Sequence, residues 1–287
     1  MKNKTLILST IAVAAVFSHH NATAGMVDLG SAKDFAVLAG SGITVAGAVN
    51  SSKITGDIGT YPTPSVTGLG NLVLNGVNQT GDAGLMLNAK NALSAAYTDA
   101  ATRPYTVLYP AIYDLGNQTL GPGIYQDPSQ FLITGTLTLD AGGDPNALWI
   151  FQAGSSLITA AGGSVSSPAS SVDLINGAQA CHVFWQVGSS ATIGDYSDFV
   201  GNILAYTSIS LDPYATIDGR ALAENGAVTF AGYNTITESV CDNVAVPEPV
   251  YFWPLAFCAS AFGAWQWLAV RRKAGRSPQM PAGRLAG

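Results

Sequence analysis

The stretch of residues 188–211 reads GSSATIGDYSDFVGNILAYTSISL. It contains no His, Cys, Lys or Arg, and small polar residues alternate with apolar ones. Such alternation over short runs is typical of β-strands with one buried face. Five pieces with this pattern recur along the second half of the chain: TGTLTL (134–139), SSLITA (155–160), SSATIG (189–194), TSISL (207–211) and GAVTF (226–230).

Two further families of short pieces lie between them. One is more continuously apolar: LWIFQ (148–152), VFWQV (183–187), NILAY (202–206) and RALAE (220–224). The other is weaker: VDLIN (172–176), ATID (215–218) and NTIT (234–237). Equivalent positions are about 18 to 20 residues apart, with one longer step around residues 162–180, and three strands per repeat predict a mainly β, three-sided solenoid.

One segment has helical rather than strand periodicity. It reads GDAGLMLNAKNALSAAYTDAATRP, with Asp82 as N-cap and Pro104 as a stop, which predicts a helix over about residues 82–102. We expect it to pack against the apolar family of strands. Its predicted buried stripe is Leu85, Ala89, Ala92, Leu93, Ala96 and Ala100.

The alternating family divides into an inward and an outward set. The predicted inward side chains are Leu137, Leu139, Leu157, Ala191, Ile209 and Val228. The predicted outward side chains are Thr136, Thr138, Ser156, Ile158, Ser190, Thr192, Ser208, Ser210, Ala227 and Thr229. Exposed strands normally carry charges that prevent association, and this outward set has none.

These blocks, in this order, resemble the bacterial and fungal ice-binding domain. The matching blocks include VDLGSAKDFAVLAGSGITVAG, TGDIGTYP, LGNQTLGPGIY, ITGTLTLDAGGDPNALWIFQAGSSL, INGAQACHVFWQVGSSATIG and GNILAYTSISL. The resemblance covers about residues 27–241 and implies a right-handed, discontinuous β-helix with one long helix packed alongside. It also implies a flat β-face that adsorbs to ice, for which the outward set is the candidate. Ile158 and Ala227 stand where more regular members carry hydroxyl residues.

Composition argues against several other classes of function. Charged residues make up 10% of the chain and the net charge is -6, so a basic face for nucleic acid is not expected. The acids Asp195, Asp198, Asp212 and Asp218 are scattered over turns without ligand spacing. We therefore expect no enzyme, no catalytic residue, no metal and no cofactor. His182 is interpreted as a packed residue at a strand edge, and Arg220 as a local pair or turn cap.

The cysteines fit export to an oxidising compartment. Cys181 and Cys241 lie in the folded part and predict one disulfide, whereas Cys258 lies in the apolar stretch near the end. A CxxC pair is absent from the sequence, so a structural zinc site is not expected.

Both ends of the chain read as targeting segments around a domain of residues 25–245. Residues 1–24 resemble a secretory signal peptide that ends in the small residues ATA. Residues 246–273 resemble a PEP-CTERM sorting signal, with the motif Pro247, Glu248 and Pro249, an uncharged span at 250–270, and the basic cluster RRK. Residues 274–287 would be a cytoplasmic tail.

The resemblance of the two chain ends to targeting signals implies signal peptidase and an exosortase as partners during export. It implies transient anchoring in the inner membrane, followed by release to the cell surface or matrix. A plain C-terminal membrane anchor is the alternative. A structural or adhesive protein of the exopolysaccharide matrix, without strong ice activity, is the alternative function, with exopolysaccharide as partner instead of an ice crystal.

The processing hypothesis predicts the mass of the released protein. We expect the extracellular form to begin near Gly25 and to end near the Pro247–Pro249 motif, because an export signal precedes the domain and a sorting signal follows it. Intact-mass measurement of the extracellular fraction checks this. Retention of residues 250–270 in that fraction would contradict release and favour the plain anchor.

Overall fold

Parallel pairing joins nearly all strands of residues 25–241, which are the residues that the computed structural model describes. The predicted signal peptide, sorting motif, membrane span and tail lie outside them. Among residues 25–241 we find no helix that is both long and apolar enough to cross a membrane. The long helix is α1 (Ala83–Thr102), and three short 3₁₀ turns lie at Gly30–Asp34, Leu69–Asn71 and Ala180–His182.

The described residues form twenty-four strands. In chain order they are β1 (Phe35–Ala39), β2 (Gly42–Val45), β3 (Ser52–Thr55), β4 (Asp57–Thr60), β5 (Val66–Thr67), β6 (Leu72–Asn75), β7 (Val107–Leu108), β8 (Tyr113–Asp114), β9 (Thr119–Leu120), β10 (Gly123–Asp127), β11 (Phe131–Ile133), β12 (Gly135–Asp140), β13 (Trp149–Ala153), β14 (Leu157–Thr159), β15 (Gly163–Ser164), β16 (Ser167–Pro168), β17 (Ser170–Ile175), β18 (Val183–Val187), β19 (Ala191–Ile193), β20 (Asp198–Ala205), β21 (Ile209–Leu211), β22 (Thr216–Ala223), β23 (Ala227–Phe230) and β24 (Thr235–Thr237). The antiparallel hairpin β15–β16 occupies the longer step that interrupts the sequence repeat.

The strands fall into three parallel series. The eight-stranded sheet has the order β5-β2-β23-β21-β19-β14-β11-β8. A fourteen-stranded sheet contains the other two. Its helix-facing series comprises β7, β10, β13, β18, residues 202–205 of β20, residues 220–223 of β22, β1 and β4. Its third series comprises β9, β12, β17, residues 198–200 of β20, residues 216–218 of β22, β24, β3 and β6.

Glycines let β20 and β22 pass from the third series to the helix-facing series. Gly201 and Gly219 have φ of 115° and 149°, which side chains other than hydrogen rarely allow. A Cβ on Gly219 would lie 2.0 Å from the carbonyl oxygen of Gly201. The two coils can therefore stack at this bend only because neither position carries a side chain.

The chain order of the coils differs from their spatial order. The first two coils, β1–β3 and β4–β6, stack on the last one, because β1 pairs with β22 and β2 with β23. The helix then carries the chain to the opposite end, where β7–β9 begin the remaining stack. A 20-residue helix is about 30 Å long, and seven steps between eight strands span roughly 34 Å. The residues thus form a mainly parallel, β-helix-like stack with one helix along it.

The prediction that TGTLTL lies in the same sheet as the other alternating pieces is wrong. Its strand, β12, pairs with β17 and β9 in the third series, and the member of the eight-stranded sheet in this coil is β11. Only Thr134 separates the two strands, and Gly135 bends the chain there with φ of 89°. The alternating sequence belongs to β12, whereas β11 is apolar at all three positions, so sequence alternation pointed to the wrong strand of this coil.

The helix begins as predicted. The Asp82 carboxylate accepts a hydrogen bond from the Leu85 amide at 2.9 Å, which caps the first turn. The buried face is rotated slightly from the prediction, because Leu85 and Ala92 are half-buried while Met86 and Lys90 are buried. The face packs on the outward apolar residues of the helix-facing series: Leu38, Ile124, Ile150, Phe184, Leu204 and Leu222.

Aromatic rings fill the interior of the stack toward the β7–β9 end. Tyr125 and Phe151 have ring centroids 5.3 Å apart, Phe151 and Trp185 are 4.0 Å apart, and Trp185 and Phe199 are 5.1 Å apart. Tyr125, Phe151 and Trp185 come from successive coils, so in-register pairing converts a repeated aromatic position into a continuous stack. Phe199 extends this stack from the third-series part of the coil that contains Trp185. At the other end smaller side chains such as Val37 and Ala221 take the equivalent positions.

Arg220 ties the start of the described chain to its end. It was expected to pair locally, but its guanidinium donates to the Lys33 and Ser239 carbonyl oxygens and to Asn202 Oδ1, each at 3.0 Å. It also forms an ion pair with Glu238 at 2.6 Å. The Cys181–Cys241 disulfide, which the sequence predicted, closes beside it with an S–S distance of 2.09 Å.

Removal of this disulfide should lower stability markedly. Its sequence separation is 60 residues, for which loss of loop entropy in the unfolded chain gives about 4 kcal/mol. We expect the Cys181→Ala/Cys241→Ala variant to unfold at a clearly lower urea concentration than the parent. Reducing agent should lower the midpoint of the parent and leave the variant unchanged. Equal midpoints for the two proteins without reductant would contradict the role of the bond.

Lys90 of α1 gives the stack a stability that depends on pH. Its Nζ donates to the carbonyl oxygens of Ala223 and Glu224, at 2.6 and 2.5 Å. Burial lowers the pKa of Lys90 to about 8, an effect partly opposed by the Glu224 carboxylate. A neutral amine still has two N–H donors, so both hydrogen bonds survive deprotonation.

We therefore expect stability to rise by about 1 to 2 kcal/mol between about pH 8 and pH 9.5. In this range the unfolded chain, whose Lys90 pKa is near 10.5, binds more protons than the folded chain. Urea unfolding at several pH values measures the effect, and the Lys90→Met variant corrects for tyrosines, which begin to ionise at the upper end of this range. Lys90→Met should remove the rise, and a variant that retains it would contradict the assignment to Lys90.

Candidate functional site

One column of side chains runs across the outer surface of the eight-stranded sheet. Strand pairing places its members side by side on successive strands, and most of their neighbours along each strand are buried. In spatial order they are Thr67, Thr44, Thr229, Ser210, Thr192, Ile158, Leu132 and Asp114. Neighbouring strands are roughly 4.8 Å apart, so the column repeats at that spacing.

A second column lies two residues earlier on each coil. It contains Ala227, Ser208, Ser190 and Ser156, all of them half-buried. Residues two apart along a strand are separated by roughly 6.6 Å, so the two columns form a grid. Eight of the ten predicted outward residues lie on this grid.

The grid is nearly free of charge. Asp114 in the terminal strand β8 is the one charged residue within the bounds of the eight strands. Within residues 25–241, the helix covers the outer surface of one of the other two series, and the other carries charges along its length. The outer surface of the eight-stranded sheet is the only one of the three that is both uncovered and nearly uncharged.

Several hydroxyls on the grid are available to water. Within residues 25–241, the side chains of Thr192, Ser210 and Thr229 have no hydrogen-bond partner in the protein. Thr67 and Thr44 differ, since the Thr67 hydroxyl donates to that of Thr44 at 3.2 Å. Threonine has one hydroxyl and one methyl on Cβ and few rotamers, so these groups keep nearly fixed positions.

The two remaining predicted residues, Thr136 and Thr138, lie elsewhere. They are on β12 in the third series, opposite Ser171 and Asp173 of β17. The Ser171 hydroxyl donates to Thr136 at 2.9 Å, and farther along the series Thr216 donates to Asp198 at 2.6 Å. This series also carries charges along its outer surface: Lys53, Asp140, Asp173, Asp198 and Asp218.

The sequence reasoning missed Thr44 and Thr67. Their strands, GITV and VT, show the same alternation as the other pieces, which is the signal that could have identified them. The repeat that the sequence analysis identified begins at Phe131 and therefore includes neither strand. The two N-terminal coils precede the helix in the chain, so nothing in a linear reading places them next to Thr229.

The scattered acids do not converge on one catalytic cluster. Asp198 and Asp218 face outward on the third series, where burial and then Asp198 raise the pKa of Asp218. Asp195 and Asp212 lie at the next corner, where burial and then Asp195 raise the pKa of Asp212.

One group with metal-ligand spacing occurs in the described residues, Cys181, His182 and Cys241. Both of its thiols are engaged in the disulfide and are unavailable as ligands. His182 is buried, as predicted, and burial lowers its pKa.

Three tyrosines line the corner between the eight-stranded sheet and the third series. Tyr196, Tyr214 and Tyr233 all have φ between 56° and 64°, and their rings stack at 4.7 and 4.8 Å. Their faces cover one another, so the stack stiffens this edge of the grid more than it offers ring faces to a ligand.

Comparison with known proteins gives a consistent family. The protein-family model described as Ice-binding-like matches residues 37–237. An ice-binding protein of Nostoc sp. (strain HG1) is 39% identical over 258 residues, covering 87% of this chain and 89% of the relative. An ice-binding protein of Flavobacterium frigoris (strain PS1) is 35% identical over 234 residues, covering 75% and 77%.

Solved structures agree with the sequence relatives. A crystal structure of an ice-binding protein from an Antarctic biological consortium has a TM-score of 0.68 at 37% identity, covering 82% of this chain and 97% of its own. That of the ice-binding protein from Antarctomyces psychrotrophicus also has a TM-score of 0.68, at 36% identity, with coverage of 75% and 99%. The chain therefore belongs to the ice-binding-like family.

Proposed function

We propose that the protein binds ice through the outer surface of the eight-stranded sheet. The observation that carries the proposal is the in-register, uncharged column from Thr67 to Leu132, with hydroxyls at its centre that have no partner within residues 25–241. The family membership and the names of the relatives support ice as the ligand.

We propose ten binding residues. They keep eight of the sequence-predicted set, omit Thr136 and Thr138, and add the two N-terminal threonines. The set is Thr44, Thr67, Ser156, Ile158, Ser190, Thr192, Ser208, Ser210, Ala227 and Thr229.

We also propose that the three series are the sides of a right-handed, three-sided and discontinuous β-helix. The parallel pairing and the stacking of the first coils on the last support this geometry. Such a solenoid would hold the grid flat, because each coil rests on the next along three sides.

The mechanism follows from rigidity and from the absence of strongly hydrated groups. Side chains with few rotamers lose little entropy on adsorption. The hydroxyls form hydrogen bonds with water molecules, and the neighbouring methyl groups lie beside those same water molecules. A charged group would instead order water in its own hydration shell. Each contact is weak, but many contacts on one rigid surface act together, as in multivalent binding. Adsorption of this kind would inhibit ice recrystallisation or depress the freezing point.

The proposal extends to processing. Residues 1–24 and the motif Pro247–Pro249 support export through signal peptidase and an exosortase, with release to the cell surface or matrix. The ice surface would then be met outside the cell.

A matched pair of threonine substitutions tests the surface. Thr192→Tyr should abolish most recrystallisation inhibition, because the ring would hold the grid away from the crystal. Both Thr192 and Thr138 are half-buried, outward and without a side-chain partner within residues 25–241, so Thr138→Tyr on the third series is the control. The control should keep activity near the parent level, and both variants should change stability by about 0.5 kcal/mol or less.

Recrystallisation inhibition and melting temperature are measured for both variants. Full activity of Thr192→Tyr at an unchanged melting temperature would show that this surface is not the site. Loss of activity in Thr138→Tyr with its fold intact would move the site to the third series.

A further inference from the structure

A cleft of about 440 Å³ lies between α1 and the helix-facing series, away from the proposed ice-binding grid. Its lining includes Gln126, Gln152 and Gln186, together with Tyr97 of α1 and Tyr206 at a corner of the coil. The established family membership and the proposed ice binding assign no role to it.

The three glutamines are neighbours on adjacent strands. Strand pairing places Gln126 beside Gln152 and Gln152 beside Gln186, and the row is bounded by Leu108 and Leu204. The outward positions two residues earlier on the same strands, Ile124, Ile150 and Phe184, are apolar and lie under the helix. The row is thus a polar interruption of an otherwise apolar series.

Helix capping explains only part of this row. The Gln152 amide donates at 2.8 Å to both the Ala100 and the Arg103 carbonyl oxygens. Carbonyl oxygens at the end of a helix have no partner within the helix itself. Gln152 is 2% exposed, yet its Oε1 has no hydrogen-bond partner within residues 25–241. A buried acceptor without a donor is costly, so this oxygen favours an external hydroxyl or N–H.

The cleft has further groups suited to hydroxyls. The side chain of Gln126 has no hydrogen-bond partner within the described chain, and the Gln186 amide donates to the Tyr97 hydroxyl at 2.9 Å. Tyr97 and Tyr206 have ring centroids 5.9 Å apart at 44°, and Tyr206 is 49% exposed, so it forms an open aromatic wall. Side-chain amides beside an exposed ring provide directed hydrogen bonds and an apolar face together.

The charges in the cleft point to a neutral ligand. Its lining contains no Lys or Arg. Its one carboxylate, Asp127, is fully buried, and its two oxygens already accept the Tyr113 and Ser129 amides at 2.9 and 2.7 Å. An anion would meet this carboxylate without a compensating cation, and a cation would compete with two backbone donors.

We propose that this cleft binds a neutral saccharide, with the glutamine row bonding its hydroxyls and Tyr206 packing against a sugar ring. The site is independent of the ice-binding grid. The protein would therefore hold a neutral glycan on the flank of the helix while the grid remains open.

Binding is tested in liquid solution by ¹H–¹⁵N NMR titration of the mature domain with maltotriose, cellotriose and mannotriose. At least one of these should shift the side-chain amide signals of Gln126, Gln152 or Gln186 saturably at concentrations up to about 50 mM. A trimer of galacturonic acid, which is anionic, should not. Absence of saturable shifts in the cleft with all three neutral sugars would overturn the proposal, as would preference for the anionic trimer.

Two tyrosines with nearly equal exposure provide a matched pair for the site. Tyr206→Ala should weaken the observed binding by about tenfold, whereas Tyr233→Ala, whose ring is 48% exposed in the corner stack, should stay within about twofold. Gln186→Leu, which keeps the volume and removes the amide, should weaken binding as well. Tyr206→Ala should keep its recrystallisation inhibition, so failure here is separable from failure of the ice-binding proposal. Unchanged sugar affinity in Tyr206→Ala would overturn the assignment.

Discussion

Parallel in-register pairing between coils is the constraint on which the rest of the structure depends. Because each residue lies beside the equivalent residue of the next coil, any choice of side chain is repeated at roughly 4.8 Å. An inward aromatic position becomes the stack from Tyr125 to Trp185, and a corner tyrosine becomes the stack of Tyr196, Tyr214 and Tyr233. An outward Thr or Ser becomes the column of the grid. The surface is therefore as regular as the backbone beneath it.

The same pairing would leave unpaired strand edges at both ends of the N-terminal pair of coils and of the C-terminal stack. The path of the chain reduces the number of these unpaired edges. The N-terminal coils cover the last coil of the C-terminal stack, since β1 and β2 pair with β22 and β23. Contacts between distant parts of the sequence then hold this junction: the Arg220 guanidinium donates to the Lys33 carbonyl oxygen, and the Glu238 amide donates to the Thr55 carbonyl oxygen, both at 3.0 Å. Closure of the junction places Thr44 and Thr67 in line with Thr229, so the length of the grid depends on it.

Local patterns predicted those features whose causes are local. Alternation identified the strands, and Asp82 identified the start of the helix. The two cysteines were paired correctly for another reason, because the predicted domain contains only these two. The side to which each strand belongs depends on bends only one residue long, which is why Thr136 and Thr138 were placed on the wrong series. The partners of Arg220 lie up to 187 residues away, and a linear pattern carries no information on them. The two N-terminal threonines were missed for the same reason, because a crossover through α1 separates them from their neighbours.

The three series divide incompatible physical requirements among themselves. A domain in aqueous solution needs charge for solubility, and a surface that orders water needs to be without it. The outward acids Asp173, Asp198 and Asp218 lie on the third series, and the helix covers the apolar residues of the helix-facing series. That leaves the eight-stranded sheet free to be uncharged without making the whole molecule prone to association. Since alternate residues of a strand face opposite ways, each series can change its outer chemistry while the shared apolar interior stays the same. The neutral grid is thus possible because the charges needed for solubility are carried by another strand series of the same coils.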